Sequence, residues 1–441
     1  MKSVRVRYAP SPTGYQHIGG ARTALFCDLF ARAHQGTFVL RVEDTDQERS
    51  KREYEERIQE DLLWLGLKFN ESPTQGGDYA PYRQSERGEL YRELAENLVE
   101  RGLAYPCFAS SEEIDELTEK AVQEKKAPHH YHGKYRDLDP AEAKERIAKG
   151  DNYVIRFKNP QKEYKFTDIV RGEVTFGPDM VGDFVLMRTG GMPVYNFCCV
   201  IDDWKMEISH VIRAEEHLNN TLRQLMLYEA FGATPPQFAH CSLLVGEDRQ
   251  KLSKRHGATS VSQYQEEGYL PLALANYLCL LGWSHPDETD VFNPFKLKEK
   301  FELKRLVKSP ALYDIEKLRY INGQHLRSLD DQELVDHIAP VFAEDSRFSE
   351  MDDSWKKSFA NGFKEKVNVR SEFKKFFDDL FITSPMKEDT EYDEILAWET
   401  TSAIKDLVAQ KLSSETESFL SAESIDEWMN ELKKEHKIKG K

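Results

Sequence analysis

The first forty residues impose an order on this chain that few folds accept: strand, loop, helix, strand. Val4, Val6 and Tyr8 alternate with Arg5 and Arg7 across Ser3 to Ala9, the period-two pattern of a strand, and Pro10 with Pro12 ends it. A polar loop, Ser11 to Gln16, follows. From Gly19 to about His34 the residues Leu25, Phe26, Leu29 and Phe30 recur at helical spacing, with Gly36 expected as the C-cap. Thr37 to Val42 is strand-like again, and Tyr54, Ile58, Leu62 and Leu65 mark a second amphipathic helix closing at Gly66. Such alternation predicts a parallel α/β sheet whose ligands bind beyond the carboxyl ends of the strands.

Helical periodicity continues through Leu90, Tyr91, Leu94 and Leu98, after which strand-like segments at 153–158 and 181–189 give the middle of the chain the character of an α+β insertion. Short apolar strands around helices are expected again over 193–246. The adjacent cysteines Cys198 and Cys199 read as buried strand. From about 250 the pattern is mostly helical, with 271–283 the most apolar stretch. Beyond 330 it is charged and helical, and Ser424 with Glu427 forms a capping box. At roughly 100 to 200 residues per domain, 441 residues predict two to four domains.

Composition excludes several classes. No apolar run approaches the roughly 18 residues of a membrane span, and the opening MKSVRVRYAP lacks the apolar core of a signal peptide, which predicts a soluble, cytoplasmic chain with no membrane partner. Six cysteines are too sparse for a disulfide framework. A net charge of −16 argues against general binding of polyanions, while leaving room for local basic patches.

Two segments carry chemistry. In PSPTGYQHIGGART, 10–23, a strand feeds a glycine-bearing loop and a helix start, where unpaired N–H groups and the helix dipole favour a phosphate. His17 either donates to that phosphate or only caps the helix, and Gly19 and Gly20 allow close approach of nucleotide atoms. Far downstream, Lys251-Leu-Ser-Lys254-Arg-His-Gly257 places two lysines three apart in a loop, suited to charge building on a departing pyrophosphate. Taken alone it reads first as a solvated basic loop.

Together, a His-x-Gly loop after the first strand and a distant K-x-S-K loop resemble class I aminoacyl-tRNA synthetases. The strings RYAPSPTGYQHIGGARTALF, LRVEDTD, YNFCCVIDDW, HVIRAEEHLNNT and KLSKRHGA narrow the resemblance to the bacterial glutamyl-tRNA synthetases, from Arg7 to about Asn322. Gly20 and Leu252 depart from the general HIGH and KMSKS signatures. The resemblance implies an α/β fold with a split Rossmann catalytic domain at 1–89 and 193–247 and an α+β acceptor-binding insertion at 90–192. A stem-contact region at 248–330 and a helical anticodon-binding region at 331–441 would follow, the last ending before the family's full length. It implies ATP-dependent activation of L-glutamate to glutamyl adenylate and transfer to the 3′ end of tRNA(Glu), releasing AMP and pyrophosphate. His17, Lys251 and Lys254 would act on the phosphates, and Gly19, Gly20, Glu216 and Leu244 would flank ATP, which would arrive with Mg2+.

Glutamate presents two carboxylates and an ammonium, so its pocket needs fork-like cations and a carboxylate. Arg7 and Arg213 can each clamp a carboxylate, and Glu43 can take the ammonium. By themselves these arginines read as surface ion pairs; the matched strings reverse that preference. In the family the same positions, with Ala9, Ser11 and Tyr195, line the glutamate site. Asp46 reads equally as a cap for a helix over 47–65.

Relatives often carry a zinc-binding cysteine cluster in the insertion, but here Cys107 is followed by Ala109, Tyr135 and Asp137 at the other ligand positions, so no structural zinc is expected. His129, His130 and His132 read as solvated or phosphate-facing. Two basic patches suit tRNA or a solvated face: 125–136, with four cations and no acid, and Lys296 to Lys308, with six cations against Glu299 and Glu302. Lys366 and Arg370 lie near the expected anticodon-reading position. A monomer is the family expectation. A glutaminyl enzyme, a non-discriminating enzyme that also charges tRNA(Gln), and an inactive tRNA-binding paralogue are the alternatives; intact His17, Lys251, Lys254, Glu43, Arg7 and Arg213 count against the last.

Overall fold

The computed structural model describes residues 3–123, 133–178, 180–253, 255, 257, 259–381, 399–414, 426–428, 430, 431 and 434. The chain forms two compact units, Met1–Lys374 and Lys375–Lys441. The expected histidines at 129, 130 and 132, the basic run 125–132, Lys254 and the cap residue Ser424 lie outside the described residues.

Eleven strands are described: β1 (Arg5–Tyr8), β2 (Thr37–Leu40), β3 (Ala104–Cys107), β4 (Val154–Phe157), β5 (Tyr164–Asp168), β6 (Gly172–Phe176), β7 (Phe184–Met187), β8 (His210–Ala214), β9 (Gln237–Cys241), β10 (Leu244–Val245) and β11 (Ala311–Leu312). Six of them make one sheet in the order β2-β1-β8-β9-β5-β6. All its pairs are parallel except the β5–β6 hairpin. β3, β4 and β7 form a separate antiparallel sheet, and β10 pairs with β11. The first nine helices are α1 (Ile18–Ala33), α2 (Arg52–Trp64), α3 (Gly88–Glu100), α4 (Ser111–Gln123), α5 (Pro140–Ala148), α6 (Tyr195–Lys205), α7 (Leu218–Phe231), α8 (Val261–Glu267) and α9 (Pro271–Leu280). Helices continue at Ile315–Arg327, Asp331–Ile338 and Asp353–Phe363. In the second unit, the helix Glu399–Ser414 pairs Lys411 with Glu431.

The strand order explains where a ligand can go. β1 runs through α1 to β2 on one side, while β8 flanks β1 on the other, so the connections diverge between β1 and β8 and open a crevice at their carboxyl ends. α1 packs on β1, β8 and α9, and its residues from Ala21 to Ala31 are buried on every face. Its end differs from expectation. Gln35, at φ 51°, takes the left-handed position after the helix, and Gly36 is required instead because a Cβ there would overlap the Val4 carbonyl oxygen.

Two further expectations change. Cys198 and Cys199 are buried, but on the helix α6 rather than on a strand. The run Phe197 to Ile201 is buried on every face of that helix, and periodicity cannot separate such a run from a buried strand. Part of the middle segment also joins the main sheet: β5 and β6 extend it beyond β9, with Asp168 in register with Phe238. The rest of the segment centres on the second sheet, where Cys107 packs with Tyr105, Phe108, Tyr135 and Ala143. In the basic stretch 296–308 the short turns separate two faces: Leu297, Phe301, Leu303 and Leu306 are buried, while Lys296, Lys298, Lys300, Lys304 and Lys308 are exposed.

His210 at the start of β8 gives the fold a pH-dependent element. Its ring packs on Phe30, and burial, reinforced by the nearby His34, lowers its pKa to about 4. The fold therefore favours the neutral ring, so the unfolded chain takes up the proton first as pH falls below 6.5, and stability is lost across the window down to about 4. Discounted for the ring's partial exposure, the loss between pH 7 and pH 5 is about 1 kcal/mol. His210→Gln is expected to remove that increment, measured as a smaller drop in the urea midpoint between the two pH values than in the wild type.

Candidate active site

The crevice between β1 and β8 opens into a cleft of about 850 Å³. Arg7, Ala9, Ser11, His17, Gly19, Gly20, Glu43, Tyr195, Arg213, Glu216, Leu244 and Lys251 all line it, so one cavity gathers every expected site residue except Lys254, which lies outside the described residues. Arg22, Arg49 and Arg188 line it too, giving six lysines and arginines against Glu43, Asp46 and Glu216. An acidic chain thus carries a locally cationic cleft, which favours an anionic ligand.

Its floor is an ion-pair network. Arg7 Nε donates to Asp203 Oδ1 at 3.0 Å, and Arg41 donates to the same oxygen at 2.7 Å and to Glu43 Oε1 at 3.0 Å. Next along α6, Asp202 accepts from Arg87 Nε at 2.7 Å, from the Tyr91 hydroxyl at 2.9 Å and from Gln84 at 2.8 Å. Burial alone would raise the Asp203 pKa, but Arg7 and Arg41 outweigh it and hold the carboxyl below the ordinary range. At Glu43 burial prevails over Arg41 and Arg7, and the pKa is raised.

Arg213 stands apart. Its Nε donates to His240 Nε2 at 3.1 Å and its Nη2 to Thr221 Oγ1 at 2.7 Å and Gln224 Oε1 at 2.8 Å, all uncharged acceptors. Nη1 is buried without a partner. A buried guanidinium with one unpaired corner on a cleft suits a ligand carboxylate. Beside it the Tyr195 hydroxyl lies 3.3 Å from His217 Nδ1, a ring held at a pKa of about 4 by burial and by Arg213.

The two loops that carry the sequence motifs meet in the same cleft. His17 caps α1, its Nδ1 accepting the Gly19 N–H at 3.0 Å. Burial and the Lys251 ammonium lower its pKa, so the neutral ring carries its proton on Nε2. Capping and donation are therefore compatible in one tautomer. Downstream, the turn 246–250, with Arg249 at φ 59°, folds the chain back so that Lys251 pairs with Val245. Ile18 N donates to Thr259 O at 2.8 Å and Val261 N to Gln16 O at 3.0 Å, which fastens the two loops together. Lys251 Nζ donates to Glu216 Oε2 at 2.5 Å. Gly20 answers a protein contact, since a Cβ there would press on the Tyr8 hydroxyl and the Gln16 amide.

Several placements differ from expectation or were not anticipated. Asp46 does not cap α2, which begins at Arg52 with Lys51 as N-cap; its carboxylate instead receives the Arg49 N–H and guanidinium. Arg370 donates to Gln265 O at 3.0 Å and its side chain covers Gly268, while Lys366 is exposed. Arg41, Asp202 and Asp203 had one available signal, ionisable residues inside otherwise apolar runs. Arg22, buried and donating to the carbonyls of Leu281 and Ser242, had none beyond its neighbours Gly19 and Gly20.

Comparison with known proteins agrees in one direction. A family model described as the catalytic domain of class I tRNA synthetases (E and Q) matches residues 3–320. The chain is 47% identical over 382 residues to glutamate–tRNA ligase 1 of Fervidobacterium nodosum, covering 86% of this chain and 80% of that protein. It is 43% identical over 449 residues to glutamate–tRNA ligase of Bdellovibrio bacteriovorus, covering 99% of this chain and 90% of that one. Among solved structures, a glutamate tRNA ligase from Elizabethkingia meningosepticum, in complex with its amino acid, superposes with a TM-score of 0.90 at 33% identity, over 99% of this chain and 91% of that chain.

The network under the cleft makes a stability prediction. Asp203→Asn leaves Arg7 and Arg41 facing each other without their shared counter-charge, and breaking a buried pair in this way costs about 3–5 kcal/mol. Chemical denaturation is expected to show a loss of that size, whereas Asp46→Asn, at an exposed pair screened by solvent, is expected to leave the denaturation midpoint essentially unchanged.

Proposed function

From the premise that the chain belongs to the class I tRNA synthetases of the glutamyl and glutaminyl group, we propose that the cleft between β1 and β8 binds L-glutamate and ATP side by side and forms glutamyl adenylate there. The chain is a glutamate–tRNA ligase: it activates glutamate with ATP and transfers it to the 3′ end of tRNA. The observation that carries the assignment of the site is Arg213 Nη1, a buried donor with no partner, on a residue that lines the same cleft as His17 and Lys251.

Arg213 takes a carboxylate of glutamate, and Glu43, next to Arg41, accepts the ammonium. Arg7 is already neutralised by Asp203, so it contributes directed N–H groups more than net charge. Ala9, Ser11 and Tyr195 complete the amino-acid end. At the other end Gly19, Gly20, Glu216 and Leu244 flank ATP. In activation the glutamate α-carboxylate attacks the α-phosphorus, the bond to the β-phosphate oxygen breaks, and pyrophosphate leaves. No protein nucleophile is needed. His17 Nε2–H donates to phosphate oxygen, and Lys251 and Lys254 offset the charge growing on the leaving group, an effect realised in the transition state. The terminal ribose hydroxyl of tRNA then attacks the adenylate carbonyl and AMP departs. ATP enters as its magnesium complex, the metal belonging to the substrate.

Residues 90–192 and the exposed lysines of 296–308 are the surfaces we assign to the acceptor end and stem of tRNA, and 331–441 to its anticodon end. No helix of the described residues is long and apolar enough to cross a membrane. A monomeric, cytoplasmic enzyme that acts on tRNA(Glu) is part of this proposal.

tRNA-dependent ATP–pyrophosphate exchange tests it. Exchange is expected with glutamate and not with glutamine; no exchange under any condition overturns the enzyme reading, and exchange driven by glutamine overturns the substrate. Arg213→Ala is expected to raise the KM for glutamate about tenfold or more with little change for ATP, since it removes the charge that selects the carboxylate. Replacing Lys251 and Lys254 together is expected to slow exchange by about two orders of magnitude or more while tRNA affinity changes little, the pattern of lost transition-state stabilisation.

A further inference from the structure

Arg213 is held by His240, which is held in turn by Asp168, and neither of these two lines the cleft. Arg213 on β8 and His240 on β9 are register partners, and Asp168, the last residue of β5, is in register with Phe238, two residues before His240. Register partners in a sheet point to the same face, and so do residues two apart, so Asp168, His240 and Arg213 form a row across three strands spaced about 4.8 Å apart. All three are buried. Asp168 Oδ2 lies 2.6 Å from His240 Nδ1, and His240 Nε2 lies 3.1 Å from Arg213 Nε and 3.2 Å from Thr221 Oγ1.

The chemistry of the row leaves one arrangement of protons. A guanidinium only donates, so His240 Nε2 is the acceptor and the ring proton sits on Nδ1, facing Asp168. Burial lowers the His240 pKa against the pull of Asp168, which keeps the ring neutral. Asp168 is ionised in spite of burial, because His240 and the N–H groups of Val170 and Arg171 donate to it. With Nε held by His240 and Nη2 by Thr221 and Gln224, the remaining corner of Arg213, Nη1, is the one left without a partner, on a residue that lines the cleft.

We infer that Asp168 and His240 are positioning residues for glutamate recognition: Asp168 fixes the His240 tautomer, and His240 in turn fixes Arg213 so that Nη1 faces the substrate carboxylate. The inference rests on Arg213 being the glutamate-site cation. It also gives the hairpin β5–β6, which comes from the middle segment of the chain, a part in amino-acid binding without placing a residue in the cleft.

Three variants test it. Asp168→Asn offers an amide N–H to Nδ1, which moves the ring proton to Nε2 and sets it against the Arg213 Nε–H. His240→Leu removes the acceptor. His240→Gln can keep one, with its amide oxygen near the Nε2 position. Aminoacylation kinetics with separate glutamate and ATP titrations are expected to show KM for glutamate raised about tenfold or more by Asp168→Asn and His240→Leu, the penalty of a misplaced buried donor, and within about threefold of wild type for His240→Gln. KM for ATP is expected to stay within about twofold in all three. Equal effects of His240→Leu and His240→Gln, or a joint rise of both KM values, overturn the inference. If Asp168→Asn lacks the wild-type circular dichroism spectrum, the two His240 variants decide alone. Arg213→Ala separates the layers: if it raises KM for glutamate and His240→Leu does not, only the positioning role fails, and if it leaves KM for glutamate unchanged, the glutamate-site reading fails with it.

Discussion

Everything at the cleft depends on three buried arginines having three buried carboxylates to face. Arg7 comes from β1, Arg41 follows β2 and Arg87 precedes α3, while Asp202 and Asp203 are neighbours on α6 and Glu43 leaves β2. No member could be desolvated alone, since an unpaired charge in such a position costs several kcal/mol. As a set they are neutral and amply hydrogen-bonded. The network therefore does two things: it joins elements far apart in sequence, and it leaves directed donors at the floor of the cleft without a large net charge. Arg213, outside the network, donates only to uncharged acceptors, so its charge is not offset within these hydrogen bonds.

Much of this was legible in the residues. The strand–loop–helix opening is local: alternation, two prolines and a glycine-bearing turn each act within a few residues, so β1, α1, β2 and α2 fall where periodicity puts them. Site residues came from strings whose chemistry matches a family, and the cleft gathers all of those described. What was not legible is set by tertiary packing. Phe197 to Ile201 is apolar because a helix is buried on every face, and no periodicity survives that. Asp46 has the chemistry of a cap, but α2 starts six residues later. Asp168 and His240 sit in different segments, and only the register of β5, β9 and β8 brings them into one row with Arg213.

The contrast between whole-chain and local charge has the same origin. The formal charge of −16 belongs to the whole chain, while the cleft draws cations from β1, the loop after β2, β8 and the turn at Lys251. Global charge governs solubility and long-range repulsion. Local placement governs which anion is held, and only the fold determines that placement.

The distance along the chain between Arg7 and Asp203, 196 residues, carries a consequence for biosynthesis. At about 5–20 residues per second, β1 and β2 leave the ribosome about 10–40 s before the helix that bears their counter-charges. During that interval β1 has one edge covered by β2 and the other waiting for β8, and its arginine must stay hydrated. The cleft thus cannot close by local folding; it is completed only after the whole middle segment has been made, and a nascent chain stalled within that segment displays an open strand edge of the kind that chaperones shield.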